Sequence, residues 1–219
     1  MTGMRSDDIA PTPGPGLAGL VLAAGAGTRY GSPKALVVDP TGDSWLVRAA
    51  LTLVDAGCDS VLVVLGAGAD EAEALLRASI DRFPNPDRLR VVHAANWADG
   101  LSASLAAGLD ALTSRDKLAE PGGLASITAV VLVPVDVPDL NTATVRRLAD
   151  AATPGTLRQA RFAGRPGHPV VIGRDHWSEL RAGLRGDTGA RPYLVAHGVQ
   201  PVDCDDLSTG VDVDAPPAG

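Results

Sequence analysis

This sequence of 219 residues predicts an α/β fold wound around a mostly parallel sheet, on three observations. The first is a run of three strand-then-helix units from about Ala18 onward, the order that builds a parallel sheet through crossover connections. The second is that Ser60–Leu65 (SVLVVL) and 128–133 are continuous apolar runs, as strands covered on both faces are. The third is composition: 45% hydrophobic residues with only 3% aromatics leaves a core of Val, Leu and Ala. A chain of this length suits one domain, or one domain with a small lobe.

The elements follow in order. Residues 1–16 (MTGMRSDDIAPTPGPG) are polar and rich in Pro and Gly, and read as a mobile tail, leaving 17–219 as the folded domain. After a first strand on Leu20, Val21 and Leu22 and a glycine turn, Trp45, Leu46, Ala49, Ala50 and Leu53 recur at helical spacing, and Gly57 is placed to stop that helix. The second strand is Ser60–Leu65. Ala72, Leu75, Leu76, Ser79, Ile80 and Phe83 then form a helical stripe closed by Pro84 and Pro86, and 89–94 is the third strand. A helix follows on Leu101, Leu105, Leu109 and Leu112, and 115–127 reads as an exposed loop. The strand at 128–133 leads to a helix on Val145, Leu148 and Ala152, capped by Asn141 or Thr142. Beyond Pro154 the pattern changes: 156–163 and 168–172 read as a hairpin joined by Gly164-Arg165-Pro166-Gly167, which breaks the parallel winding. With a short helix at Trp177, Leu180 and Leu184, it makes a small lobe, about 155–200, able to close over an acceptor substrate. Asp187 is placed to cap a further helix through Val195, and 199–204 is the last strand.

A net charge of −7 argues against nucleic acid or an anionic membrane as the main partner. Cys58 and Cys204 make no disulfide framework and have no metal-ligand spacing. No apolar run reaches the length of a membrane span, and the N-terminus lacks a basic-then-apolar leader, so the expected compartment is the cytoplasm.

The stretch that carries chemistry is 18–36, AGLVLAAGAGTRYGSPKAL. Gly25, Gly27 and Gly31 let backbone N–H groups approach an anion, and Arg29 and Lys34 supply two cations in the same loop, a combination suited to a nucleoside triphosphate. It is not a Walker loop, which needs Gly-Lys-Ser/Thr at its end. A dinucleotide fingerprint wants an acid about 20 residues on, at the end of the next strand, to hold a ribose. Here that distance falls within the helix at 46–50, and the next strand ends on Leu65 and Gly66.

Two further positions have two readings each. Ser102 either caps the helix that Gly100 turns into, or joins Ser104 and the free N–H groups of the helix start in lining a ligand groove. Asp136, in Pro134-Val135-Asp136-Val137-Pro138-Asp139-Leu140, either closes a turn or holds Mg²⁺ at the carboxyl end of a parallel strand. His168 reads as a packed strand residue, and no Ser/His/Asp or Cys/His order points to a covalent enzyme.

Taken in order, LAAGAGTRYGSPKAL, GLSASLAAGL, VPVDVPDL and GRPGHPVVIGRDHWSELRAGLRGDTGAR resemble the MobA-like nucleotidyltransferases, and among them the molybdenum cofactor cytidylyltransferase branch, from Ala18 to about Asp214. The resemblance implies a GT-A-like Rossmannoid, three-layer α/β/α domain with a mostly parallel mixed sheet and a small hairpin acceptor lobe. It implies that Leu22, Ala23, Ala24, Gly25 and Gly27 lie against the nucleotide, that Arg29 and Lys34 hold the triphosphate, and that Gly100 and Ser102 complete the base and ribose pocket. It assigns Asp136 to Mg²⁺ and Asp214 to the second metal position, with Asp212 the near competitor. Ala24 and Pro33 match the branch that takes CTP. The implied reaction moves CMP from CTP to a phosphorylated small molecule, molybdopterin, with a molybdenum hydroxylase as the protein that receives the cofactor. The chain departs from the pattern at Val137, where an amide is usual, and after Asp214, where Ala215, Pro217 and Gly219 replace an acidic helix. Two other readings are a nicotinamide-dependent oxidoreductase and an inactive nucleotide-binding regulator.

Overall fold

The computed structural model describes residues 16–114 and 127–215. The tail through Pro15, the loop 115–126 and residues 216–219 lie outside the described residues. The strands are β1 (Leu17–Ala23), β2 (Ser60–Leu65), β3 (Leu89–His93), β4 (Ala129–Pro134), β5 (Leu157–Phe162), β6 (Arg165–Gly173) and β7 (Gln200–Asp203). They form one sheet in the order β3-β2-β1-β4-β6-β5-β7. β1 is parallel to β2 and β4, β2 to β3, and β5 to β7, whereas β6 runs antiparallel to β4 and β5. The chain winds outward from β1 to β3, then resumes on the other side of β1 with β4. The crevice between β1 and β4 at the carboxyl edge is therefore the topological switch point, where open α/β sheets bind ligands.

The helices are α1 (Trp45–Asp55), α2 (Ala69–Ala78), α3 (Leu101–Thr113), α4 (Thr142–Ala149), α5 (Trp177–Gly183) and α6 (Arg191–Ala196). On one face Leu46, Leu53, Leu76, Val145 and Leu148 pack with Val21, Val63 and Val131. On the other Leu105, Leu109, Trp177, Leu180 and Leu194 pack with Leu20, Leu62 and Leu132. Every residue of β1 and β2 is buried, which is why those segments read as unbroken apolar runs instead of alternating ones. The two helices flanking β1 sit close because glycine admits them: a Cβ on Gly19 would lie 2.7 Å from Leu53 Cδ1, and one on Gly108 2.8 Å from Leu20 Cδ1.

The boundaries differ from expectation in two places. The helical stripe at 72–83 stops as α-helix at Ala78 and continues as a single 3-10 turn, Ile80–Arg82, which carries Phe83 into the core. The hairpin turn is Ala163-Gly164, not Gly164 to Gly167: both turn residues have positive φ (49° and 77°), and Phe162 pairs with Arg165. That is the primed two-residue geometry whose twist suits a hairpin. Pro166 is tolerated in β6 because this stretch runs past the last residue paired with β4 and has β5 on one side only. Both hairpin strands belong to the main sheet, so this region is an extension of the sheet and not a separate lobe, with the hairpin tip at the carboxyl edge.

Asn141 caps α4, as expected, its Oδ1 accepting from the Thr144 N–H at 2.9 Å. Its Nδ2 also donates to the Leu207 carbonyl at 2.5 Å, tying the C-terminal segment to the sheet. Asn141→Ala is expected to lower stability by about 1–2 kcal/mol in urea unfolding, the cost of a lost cap plus one tie.

Candidate active site

The site begins where β1 leaves the sheet. Gly27 has φ +61°, and its carbonyl accepts from the N–H groups of Tyr30 and Gly31 at 2.9 and 2.8 Å, closing a tight turn. A Cβ on Gly27 would lie 1.9 Å from the Ser32 carbonyl oxygen, whereas Gly25 faces open space. The loop then enters a 3-10 turn, Lys34–Leu36, anchored by the buried Ala35, which fixes the base of the Lys34 side chain.

The opposite wall comes from β4. The Val135 N–H donates to the Leu22 carbonyl at 3.0 Å, so Asp136 stands beside the end of β1. The Asp136 carbonyl accepts from the Val213 N–H at 2.9 Å, which brings the C-terminal segment back to the same point. There the Lys34 ammonium donates to Asp136 Oδ2 at 2.7 Å and to Asp214 Oδ1 at 3.0 Å, and Arg29 reaches Asp214 Oδ2 at 3.1 Å. Two cations and two carboxylates thus form one neutral cluster. Val137 does not face it: the side chain is buried in the core, so the missing amide is an exchange in packing.

Burial pulls the Lys34 pKa down, but the carboxylates of Asp136 and Asp214 outweigh it and hold the ammonium above its usual 10.5. Hydrogen bonding to Lys34, with Arg29 adding attraction, holds the Asp214 carboxyl below 3.8. Asp214 therefore adds stability above its unfolded pKa and loses it as pH falls through the folded value. Lys34 adds stability below 10.5 and loses it as pH rises through its folded value. The Tm difference between wild type and Asp214→Asn is expected to be flat from about pH 5 to about pH 10 and to close in acid. With the Asp214 side chain 48% exposed and Arg29 79%, that difference is small and salt-sensitive.

The third wall is the start of α3. Gly100, at φ +108°, precedes the helix and leaves no room for a side chain, because a Cβ would lie 2.3 Å from Asp187 Oδ1. Asp187 does not cap α6 as expected. The first N–H of α3 is closer: Asp187 Oδ1 accepts from Leu101 N–H at 3.3 Å, while α6 starts without a side-chain cap. Ser102 meets neither of its two readings. It is buried, its Oγ donates to the Arg185 carbonyl at 3.0 Å and its N–H to the Gly186 carbonyl at 3.0 Å, so it fastens the 185–187 turn to α3 and does not line the cavity. One helical turn on, Ser104 does.

The cavity between these walls is open to solvent and measures about 570 Å³. Leu22, Ala23, Ala24, Gly25, Gly27, Arg29, Lys34, Gly100, Asp136 and Asp214 line it; of the expected site residues only Ser102 does not. Ser104 lines it, in line with the groove reading, and Trp97, Leu101 and Asp187 line it without being among the expected site residues. Trp97 carried a signal in retrospect: a Cβ on Gly66 would lie 2.6 Å from Trp97 Cβ, so a glycine at the end of β2 makes room for the ring. His168 is a half-buried residue of β6. Burial pushes its imidazole below the usual range, against the pull of Asp136 and Asp212.

Asp136 and Asp214 converge on one cation, Lys34, so these are the residues whose hard carboxylate oxygens could hold a divalent ion here. Among the described residues no group of three or more His, Cys, Asp and Glu could hold a metal, and no helix is long and apolar enough to cross a membrane. The cavity lining combines the Lys34 charge cluster with the uncharged Ala24 and Trp97, a mixture suited to a ligand that has an anionic part and a flat uncharged part.

The chain is 34% identical over 210 residues to the nicotine blue oxidoreductase of Paenarthrobacter nicotinovorans, covering 91% of this chain and 93% of that one. Rv0371c of Mycobacterium tuberculosis H37Rv superposes with a TM-score of 0.67 at 27% identity, over 91% of this chain and 93% of that one. Its complex with manganese superposes at 0.64 with 24% identity, over 90% and 94%. A nucleotidyl transferase of Methanothermobacter thermautotroptrophicus superposes at 0.69 with 23% identity, over 92% and 93%. Residues 19–202 match the MobA-like NTP transferase domain, a range that holds every cavity residue but Asp214, and the chain belongs to that family.

Proposed function

We propose that this nucleotidyltransferase uses Mg²⁺ and CTP, transferring CMP to a phosphorylated acceptor, molybdopterin, in the cytoplasm, for delivery to a molybdenum hydroxylase. The observation that carries the transfer reading is the Arg29–Lys34–Asp136–Asp214 cluster at one pole of the cavity. The manganese complex of Rv0371c supports a divalent ion, and Ala24 and Pro33 support CTP through the resemblance of the loop.

An acceptor phosphate oxygen attacks the α-phosphorus, the new P–O bond forms as the bond to the β-phosphate oxygen breaks, and pyrophosphate leaves with that electron pair. The acceptor phosphate is already ionised, so no general base is needed. Positioning and charge neutralisation do the work. Lys34 and Arg29 bind and orient the phosphate chain, and the loop N–H groups between Ala24 and Thr28 meet its oxygens. Asp136 and Asp214 would hold Mg²⁺, which supplies charge neutralisation across the phosphates when bound. Entry of the nucleotide exchanges the cations' carboxylate partners for phosphate oxygens.

A second reading rests on the name of the Paenarthrobacter relative, an oxidoreductase. Against a nicotinamide dinucleotide stands the end of β2, Leu65-Gly66, which offers no acid to a ribose. A thermal-shift panel with CTP, GTP, UTP, ATP and NADPH, each with and without Mg²⁺, separates the two. At about 100 times Kd a ligand adds roughly 2.7 kcal/mol. A Mg²⁺-dependent shift largest for CTP supports the proposal; a metal-indifferent shift with NADPH alone replaces it with the oxidoreductase reading. CTP binding with no pyrophosphate release in the presence of molybdopterin points to a different acceptor or to a nucleotide-binding regulator.

A further inference from the structure

The 185–187 turn is clamped to the start of α3 by three hydrogen bonds: Leu101 N–H to Asp187 Oδ1, Ser102 N–H to the Gly186 carbonyl, and Ser102 Oγ to the Arg185 carbonyl. Gly186 and Gly189, at φ +55° and +56°, let the chain fold tightly around Asp187, and Gly100 gives its carboxylate room. Asp187 is thereby held at the cavity wall with one oxygen committed to the helix. Its other oxygen, Oδ2, has no hydrogen-bond or ion-pair partner among the described residues, and Asp187 takes no part in the Lys34 cluster. Asp187 is exposed where it lines the cavity, and a carboxylate oxygen there accepts hydrogen bonds and repels other acceptors.

Lys34 and the residues Ala24, Trp97, Gly100 and Asp187 line the same cavity, so a nucleotide held by its phosphates at Lys34 would have these residues available to its nucleoside. Resting on the nucleotide-transfer reading above, we propose that Asp187 is a specificity-determining residue that accepts a hydrogen bond from the exocyclic amino group of the nucleobase. CTP and UTP test this with equal size: at C4 cytosine carries an amino donor and uracil a carbonyl acceptor. The carboxylate bonds the first and repels the second, and because Asp187 is exposed, water offsets part of that discrimination.

Asp187→Asn isolates this role from capping. The amide oxygen still accepts from Leu101 N–H, while the second position changes from acceptor to donor. Dissociation constants for CTP and UTP with Mg²⁺, by calorimetry, together with Tm, are the readouts. The wild type is expected to favour CTP by about tenfold or more, and Asp187→Asn to bring the ratio to about one or invert it, with Tm within about 2 °C. Asp187→Ser, whose hydroxyl can serve as the cap without a second acceptor oxygen, is expected to bind the two about equally. A ratio unchanged in both variants, or equal weakening of both nucleotides, overturns the role of Asp187 and leaves the transfer reading standing. Absence of any Mg²⁺-dependent nucleotide binding by the wild type overturns both.

Discussion

Lys34→Met and Asp136→Asn are each expected to cut pyrophosphate release from CTP in the presence of the acceptor by about a hundred- to a thousandfold, the range seen when one preorganised charge or donor is removed from a transition state. Either variant with turnover within tenfold of wild type removes that residue from the mechanism. Stability responds differently, because the Lys34–Asp136 pair is only partly shielded, with side chains 15% and 21% exposed. Removing one partner leaves the other short of a counter-charge, yet solvent and the neighbouring Asp214 or Arg29 make up part of the loss, so the cost is well below that of a fully buried pair. The double variant Lys34→Met/Asp136→Asn restores charge balance and is expected to be more stable than the less stable single variant, yet no more active. Recovery of turnover in the double variant would mean that the pair serves the fold and that the chemistry lies elsewhere.

The parts of this site that could be read in the sequence are those built from neighbours in the chain. Gly25, Gly27, Arg29 and Lys34 fall within one loop, and the apolar strand ahead of Asp136 announces a carboxylate at the edge of a parallel sheet. The parts that escaped depend on contacts across the chain. Asp187 reads as a cap for the helix after it, since nothing local shows that Leu101, 86 positions away, offers the nearer N–H. Ser102 reads as a helix cap or a groove residue, and the structure shows the 185–186 carbonyls taking both its hydroxyl and its N–H. The choice between Asp212 and Asp214 was open for the same reason. The bond from Val213 N–H to the Asp136 carbonyl sets the register of the C-terminal segment, and that register puts Asp214 on Lys34. The hairpin turn was misplaced because Gly164, Pro166 and Gly167 are strong turn formers, whereas the residue that adopts positive φ beside Gly164 is Ala163.

The two loop glycines are expected to part company when mutated. Gly27→Ala meets two costs at once: a left-handed backbone, at φ +61°, that a side chain disfavours by about 1 kcal/mol, and a methyl 1.9 Å from the Ser32 carbonyl, a backbone atom that cannot step aside. Relief requires the turn from Gly27 to Pro33 to open, which moves Arg29 and Lys34 together. Nucleotide affinity is expected to fall by about a hundredfold or more, since two charge-assisted contacts are misplaced, each worth about 1.5–3 kcal/mol. The Tm falls by only a few degrees, because the loop lies outside the core. At Gly25 the free protein has open space for a methyl, so Gly25→Ala is expected to leave Tm unchanged. Any loss of nucleotide binding in that variant then measures how closely the ligand approaches the backbone. Full affinity in Gly25→Ala would place the nucleotide away from the Ala24–Gly25 peptide and shift its contacts toward Arg29 and Lys34.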